Sequence, residues 1–342
     1  NLSLPVLSCA LLVVSKGKAL LRATNLDVSV ESNLKAKVLD DGVAAIPAHI
    51  LSQTVSTISD QKFTLQSSGN TVVLESERGK TSITTLDPTE FPTLPYIKDT
   101  DTAVTIPTAT LIGILKGVLF SASTSSVKPE LASICLTLEK GEIIAAATDS
   151  FRLAEVRVPL KVKSTFKGIL LPARNIGDII RVIEGSENVE MRVGENQCTF
   201  LTETGFVTSR TIDGAFPDYH AIIPKESVAS AICLKEDALR AFRKTSIFTD
   251  SFNQVHLSLQ SSKKLFSVQA INAPVGETTD QIPATVEGDD IEINFNGRYI
   301  TDALSVVSGD SVAFSVAGPG RPMVMTDVPN RGFTYLVMPM NK

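Results

Sequence analysis

Apolar and polar residues alternate with a period of two along most of this chain, and helical spacing is confined to a few stretches. Residues 62–66, 71–75, 80–86, 189–193, 197–202 and 206–212 carry the alternation, which predicts half-buried antiparallel strands. Turn chemistry separates them at Ser68-Gly69-Asn70, Glu77-Arg78-Gly79, Gly194-Glu195-Asn196 and Thr204-Gly205. Five apolar stripes predict short helices: Ile50/Leu51/Val55/Ile58, Leu111/Ile114/Leu115/Val118/Leu119, Ile176/Ile179/Ile180/Ile183, Leu239/Phe242, and Tyr299/Ile300/Ala303/Leu304/Val307.

The pattern recurs. Ile46-Pro47-Ala48 is answered 125 positions later by Leu171-Pro172-Ala173, and Phe91-Pro92 by Phe216-Pro217 at the same interval. Phe295-Asn296-Gly297-Arg298-Tyr299 is a third copy, 124 positions after Pro172. A repeated unit points to a symmetric scaffold. Each full unit is predicted to read β-α-β-β-β twice, with two helices and eight strands, an α+β fold. Boundaries after the Phe-Pro marks give domains 1–102, 103–227 and 228–342. The first unit has one helix, at 48–59, and lacks an opening strand and helix. The expectation is therefore a natural start upstream of Asn1, whose loss bares an apolar face in the first domain.

Composition narrows the function. No apolar run approaches the roughly 18 residues of a membrane span, so a soluble, cytoplasmic protein without membrane contact is expected. Cys9, Cys135, Cys198 and Cys233 lie far apart in apolar runs, as buried reduced thiols do, and His49, His220 and His256 cluster with nothing. No metal or cofactor is expected. Gly79-Lys80-Thr81 lacks the glycine five residues earlier that a phosphate loop needs, because position 74 is Leu. Gly318-Pro319-Gly320 reads as a turn between strands. No G-x-S-x-G is present, and the acidic pairs Asp40-Asp41, Asp99/Asp101 and Asp289-Asp290 read as solvated turns, so the chain is not expected to be an enzyme. A net charge of −5 is unusual for a protein that grips DNA by electrostatics alone, so any nucleic-acid role must confine its positive charge to one surface or hold DNA by another means.

Two segments read as recognition surfaces. In 147–154 a strand meets a polar turn in which Thr148 and Asp149 can bond the backbone and Arg152 can clamp a carboxylate; an ordinary hairpin turn fits the same residues. At the end of the chain, Tyr335-Leu336-Val337-Met338-Pro339-Met340 is too apolar for a frayed terminus, which implies docking or core packing.

Together with Leu4-Pro5-Val6-Leu7, the 148–154 turn, Asp213-Gly214-Ala215-Phe216-Pro217-Asp218-Tyr219, Phe295-Asn296, Gly320-Arg321-Pro322 and Met338-Pro339-Met340, the chain resembles the beta subunit family of bacterial DNA polymerase III, the replicative sliding clamps. The resemblance spans essentially the whole chain. It implies three DNA-clamp domains per subunit and a head-to-tail homodimeric ring, with sheets as the outer wall and helices lining a channel around duplex DNA. Replicative polymerase, clamp loader and repair proteins would dock short linear motifs in one pocket. By position that pocket is Leu131, Thr148, Ser150, Phe151, Arg152, Leu153, Pro217, Ile222, Phe252, Asn296, Tyr299, Pro322, Met323, Leu336, Val337, Met338, Pro339 and Met340. DNA-facing cations would be Lys116, Arg174, Arg181, Arg240, Arg243, Lys244 and Arg298, with Lys128 and Arg22 as further phosphate contacts. Arg174 and Arg181, seven apart, share a helix face. The ring interface would join strand edges, with Thr81 and Ile83 meeting Ile247 and Phe248. Ser150-Phe151 departs from the Gly-His pair common in the family, and Ala221 from a basic residue. A paralogue with weakened loader contacts, serving repair or regulation, is the competing reading; an enzyme on a β-rich scaffold is a third.

Overall fold

A computed structural model describes residues 4–98, 103–162, 164–329 and 332–340. The boundary at 102 and the Asp99/Asp101 pair lie outside the described residues.

The first repeat runs β1 (Cys9–Ser15), β2 (Lys18–Thr24), β3 (Val28–Leu34), β4 (Gly42–Pro47), α1 (Ala48–Ser56), β5 (Phe63–Ser68), β6 (Thr71–Ser76) and β7 (Lys80–Thr84). The second runs β8 (Val104–Pro107), α2 (Thr108–Leu119), β9 (Ser133–Glu139), β10 (Glu142–Thr148), β11 (Arg152–Pro159), β12 (Phe166–Pro172), α3 (Ala173–Ile183), β13 (Asn188–Val193), β14 (Gln197–Thr202) and β15 (Gly205–Arg210). The third comprises β16 (Ala229–Leu234), α4 (Lys235–Thr245), β17 (Gln254–Gln260), β18 (Leu265–Asn272), β19 (Gly276–Ile282), β20 (Ala284–Gly288), β21 (Ile291–Asn296), α5 (Gly297–Val306), β22 (Ser311–Val316), β23 (Met323–Val328) and β24 (Phe333–Val337).

The three sequence landmarks share one local structure. Pro47, Pro172 and Asn296 each end a strand, and α1, α3 and α5 start at the next residue. Proline lacks the N–H that would extend the ladder. Asn296 instead caps its helix, its Oδ1 accepting from the backbone N–H of Arg298 (3.0 Å) and Tyr299 (3.3 Å). The second repeat has the expected eight strands and two helices, but the third has nine strands. Pro283 divides its fourth strand, so that β19 pairs with β18 and β20 with β16.

The chain forms two compact units, Asn1–Thr108 with Gly177–Arg210, and Ala109–Ile176 with Thr211–Lys342. The first holds an antiparallel eight-stranded sheet in the order β4-β1-β2-β3-β15-β14-β13-β8 and a three-stranded sheet β5-β6-β7. Ala44, Ile46, Val72 and Ile83 form a core cluster there, with Leu12, Leu51 and Leu65 packed against it. Of the α1 stripe, Ile50 and Val55 stay exposed and Ile58 falls beyond the helix, whereas the α3 stripe Ile176, Ile179, Ile180 and Ile183 is fully buried. The second unit holds a nine-stranded sheet, β12-β9-β10-β11-β24-β23-β22-β16-β20, and a four-stranded sheet, β19-β18-β17-β21. There α4 packs against α5, β18 and β19. Close approach of α2 to β11 requires Gly117, where a Cβ would meet Val156 Cγ2 at 2.8 Å.

The sheets join repeats by one rule. The third strand after the opening helix position of one repeat pairs with the last strand of the next: β3 with β15, and β11 with β24. The corresponding strands left over are β19 and β7, each an edge of its own sheet.

Candidate protein-docking and DNA-facing sites

The 148–152 turn is held as its residue types imply. Thr148 Oγ1 donates to the Arg152 carbonyl (2.7 Å), and Asp149 Oδ1 accepts from the backbone N–H of Phe151 and Arg152 (both 3.0 Å). Ser150 pays for this tight geometry with a left-handed φ of +79°. Arg152 Nε donates to Asp149 Oδ2 (2.9 Å) and Nη1 to Asp302 Oδ2 (2.8 Å), while the guanidinium lies 4.2 Å from the Tyr299 ring centroid and 5.7 Å from that of Phe120. Burial works against this charge, yet Asp302, Tyr335 and Asp149 together hold the Arg152 pKa above its ordinary value. Asp302 and Phe120 escaped the sequence reading. The spacing of Tyr299 and Asp302, three apart on α5, was the available signal.

The C-terminal segment is docked. β24 lies between β11 and β23, with Arg152 opposite Val337, Leu153 opposite Leu336 and Met323 opposite Val337. Beyond it, the Met338 N–H donates to the Phe151 carbonyl (2.9 Å) and the Met340 N–H to the Asn294 carbonyl (2.8 Å). Asn296 Nδ2 donates to the Phe252 carbonyl at 3.2 Å. Residues opposite one another share a sheet face, so Arg152, Val337 and Met323 lie on the face that carries Tyr299, and Thr148, Leu153 and Leu336 lie on the other. Leu131, Leu153, Met323, Leu336 and Val337 are buried and can serve only as floor. Phe151 (63% exposed), Phe252 (68%), Ile222 and Met338 supply accessible apolar surface; Pro217 is exposed, and Pro322, Pro339 and Met340 are half-buried.

The second face is braced by a polar cluster that the sequence did not reveal. Tyr219 Oη donates to the buried Glu155 Oε2 (2.5 Å), and Arg157 donates to Glu155 through Nε (2.6 Å) and Nη2 (2.8 Å). Burial and then Glu155 push the Tyr219 pKa up, so the phenol stays a donor. Tyr219 also packs with Ala146, Leu153 and Leu336, which fixes the 213–223 linker against the sheet. A cleft of about 490 Å³ opens beside it, lined by Cys135, Ile144, Ala146, Phe216 and Pro217.

Lys116, Arg174, Arg181, Arg240, Arg243, Lys244 and Arg298 all stand exposed on α2, α3, α4 or α5, and Lys128 is exposed in a loop. Several have acidic neighbours: Arg181 with Asp178 (3.6 Å), Arg240 with Asp237 (2.7 Å) and Lys244 with Asp280 (3.4 Å). Arg22 lies within β2, its Nε 2.6 Å from Glu31. Thr81 and Ile83 are on β7, but Ile83 is only 4% exposed, because its side chain fills the core cluster. Ile247 and Phe248 are not on a strand edge; they form a 3₁₀ turn, Ser246–Phe248, packed on β18 and β19. The edge itself is β19, which the sequence reading did not single out.

Three domain models of one family match in order: DNA polymerase III beta subunit, N-terminal domain, at residues 2–95; central domain at 105–218; and C-terminal domain at 220–341. The beta sliding clamp of Synechococcus elongatus is 28% identical over 345 residues, covering 98% of this chain and 92% of that protein. That of Bacillus subtilis is 24% identical over 352 residues, covering 99% and 93%. Two solved structures share the fold: the Pseudomonas aeruginosa DNA polymerase sliding clamp (TM-score 0.93, 23% identity, 99% of this chain and 93% of that one) and a sliding clamp of that organism bound to griselimycin (TM-score 0.94, 23% identity, 100% and 93%). With its three domains matched in sequence order, the chain belongs to the DNA polymerase III beta subunit family, the beta sliding clamps.

Proposed function

We propose that two copies of this chain close head to tail into a ring that encircles duplex DNA and tethers the replicative polymerase, without catalysis of its own. One observation carries the proposal: the pairing rule that joins β3 to β15 and β11 to β24 leaves β19 and β7 as its unmatched pair. A second copy supplies the missing partner at each edge, and pairing both abolishes edges that otherwise invite uncontrolled association. Thr81 on β7 and the Ile247–Phe248 turn beside β19 fall at this junction. Domains 1–102, 103–227 and 228–342 then contribute three modules per subunit.

Within such a ring the helices carrying Lys116, Arg174, Arg181, Arg240, Arg243, Lys244 and Arg298 face the DNA, and Lys128 and Arg22 add peripheral contacts. A topological link needs no tight phosphate grip, which reconciles the net charge of −5 with DNA binding. The surface around the 148–152 turn and the 338–340 tail is the docking groove for short motifs of polymerase, clamp loader and repair proteins. Apolar area with a few fixed polar groups suits a peptide. A clamp of the same fold is bound to griselimycin, which supports a ligand-binding surface in this family. The setting would be the bacterial cytoplasm, on the nucleoid.

The test is loading onto nicked circular DNA, followed by linearisation. Release at the ends supports the ring, whereas retention on linear DNA, or a monomer in sedimentation at micromolar concentration, refutes it.

A further inference from the structure

We infer that Asp302 sets the charge selectivity of the docking groove by neutralising Arg152, so that the groove accepts an apolar, uncharged motif instead of an acidic one. This rests on the reading of that surface as a peptide groove. An unpaired arginine beside an apolar groove would recruit a carboxylate from the partner. Arg152 is not in that state. Its Nε is occupied by Asp149 and its Nη1 by Asp302, and Tyr299 lies against the guanidinium at 4.2 Å. The Arg152 side chain is 12% exposed, and Asp302, at 32%, is the more accessible member of the pair.

Two carboxylates against one guanidinium leave a local charge of −1. An acidic partner residue therefore meets no net attraction. The accessible apolar side chains beside it are Phe151, Phe252 and Met338. Asp149 is committed to the turn through Oδ1 as well, whereas among the described residues the Asp302 carboxylate bonds to Arg152. Asp302 is thus the positioning residue whose charge acts on the groove and little else.

The experiment uses two fluorescein-labelled peptides of about ten residues, each with two Leu and one Phe in a Ser/Gly background, differing only by Asp or Asn before the first Leu. Affinities for the full chain are measured by anisotropy at about 50 mM and about 300 mM salt. Wild type should bind both peptides within about twofold of each other. Asp302→Asn should shift the ratio toward the Asp peptide by about threefold or more at low salt, and the shift should shrink at high salt. Asp149→Asn keeps an Oδ1 acceptor for the turn and should move the ratio the same way. Continued binding of the Asn peptide reports an intact groove. The inference is overturned if neither variant changes the ratio while the Asn peptide still binds, or if wild type prefers the Asp peptide about tenfold and Arg152→Gln abolishes that preference. If neither peptide binds wild type, the groove reading itself fails and this inference falls with it.

Discussion

Replacing Tyr219 by Phe removes one oxygen, the donor that reaches the buried Glu155 carboxylate at 2.5 Å. A hydrogen bond to a charged group contributes about 1.5–3 kcal/mol, so Tyr219→Phe should destabilise the chain by about 2 kcal/mol. Arg157 still satisfies Glu155 in that variant, through contacts of 2.6 and 2.8 Å. Glu155→Ala is harsher. It strands the Tyr219 hydroxyl in a buried site and frees Arg157, for a loss of about 3–5 kcal/mol. In the double variant the stranded hydroxyl is gone, so the two losses should not add. Their coupling should be about 2 kcal/mol, within the range for residues in direct contact. Urea denaturation of the four proteins measures it. The linker that Tyr219 anchors should also exchange its amide hydrogens faster over residues 211–223 in both single variants. A coupling below about 0.5 kcal/mol, with linker exchange unchanged, would refute the claim that a buried carboxylate pins this linker.

Other outcomes follow from single positions. Ser150→Gly relieves a side chain at φ +79°, and after allowing for the greater freedom of Gly in the unfolded chain it should stabilise by about 0.5–1 kcal/mol in urea denaturation; a loss of stability would contradict the strain. Ile83→Ala should cost about 2–4 kcal/mol in thermal or chemical unfolding, because the side chain fills the first core cluster; an unchanged stability with a weakened dimer would show that it serves the interface instead. Burial pushes the Cys135 thiol from 9.0 up to about 11, so between those values the unfolded chain releases its proton first and stability falls as pH rises. The loss attributable to Cys135 should reach about 2–3 kcal/mol by the upper end of that window, and Cys135→Ala should flatten this part of the stability–pH curve; an unaltered slope counts against it.

Much of the fold could be read from the chain because its logic is local and repeated. Pro47 and Pro172 end strands, and the alternation in 71–75 matches the burial of Val72 and Leu74, whereas in 197–202 the polar Thr199 is buried between Cys198 and Phe200. What escaped depends on which distant strands meet. Pro283 looks like an ordinary turn residue until β19 and β20 are seen to belong to different sheets. Ile83, expected at the ring interface from the family resemblance, is pointed inward by the alternation, and the burial of Val72 and Leu74 on the neighbouring strand shows the same inward preference. At the groove, Thr148, Asp149 and Arg152 were legible because their partners lie within four residues. Asp302 was not, since 150 positions separate it from the guanidinium it binds. Glu155 failed differently: a glutamate in an apolar strand reads as solvated until Tyr219 and Arg157 are found on the same face, where its burial becomes tolerable. The same distinction bears on the proposed ring. Which strands are edges cannot be read from their residues, because an edge is defined by an absent neighbour; only the pairing rule repeated at β3–β15 and β11–β24 singles out β7 and β19.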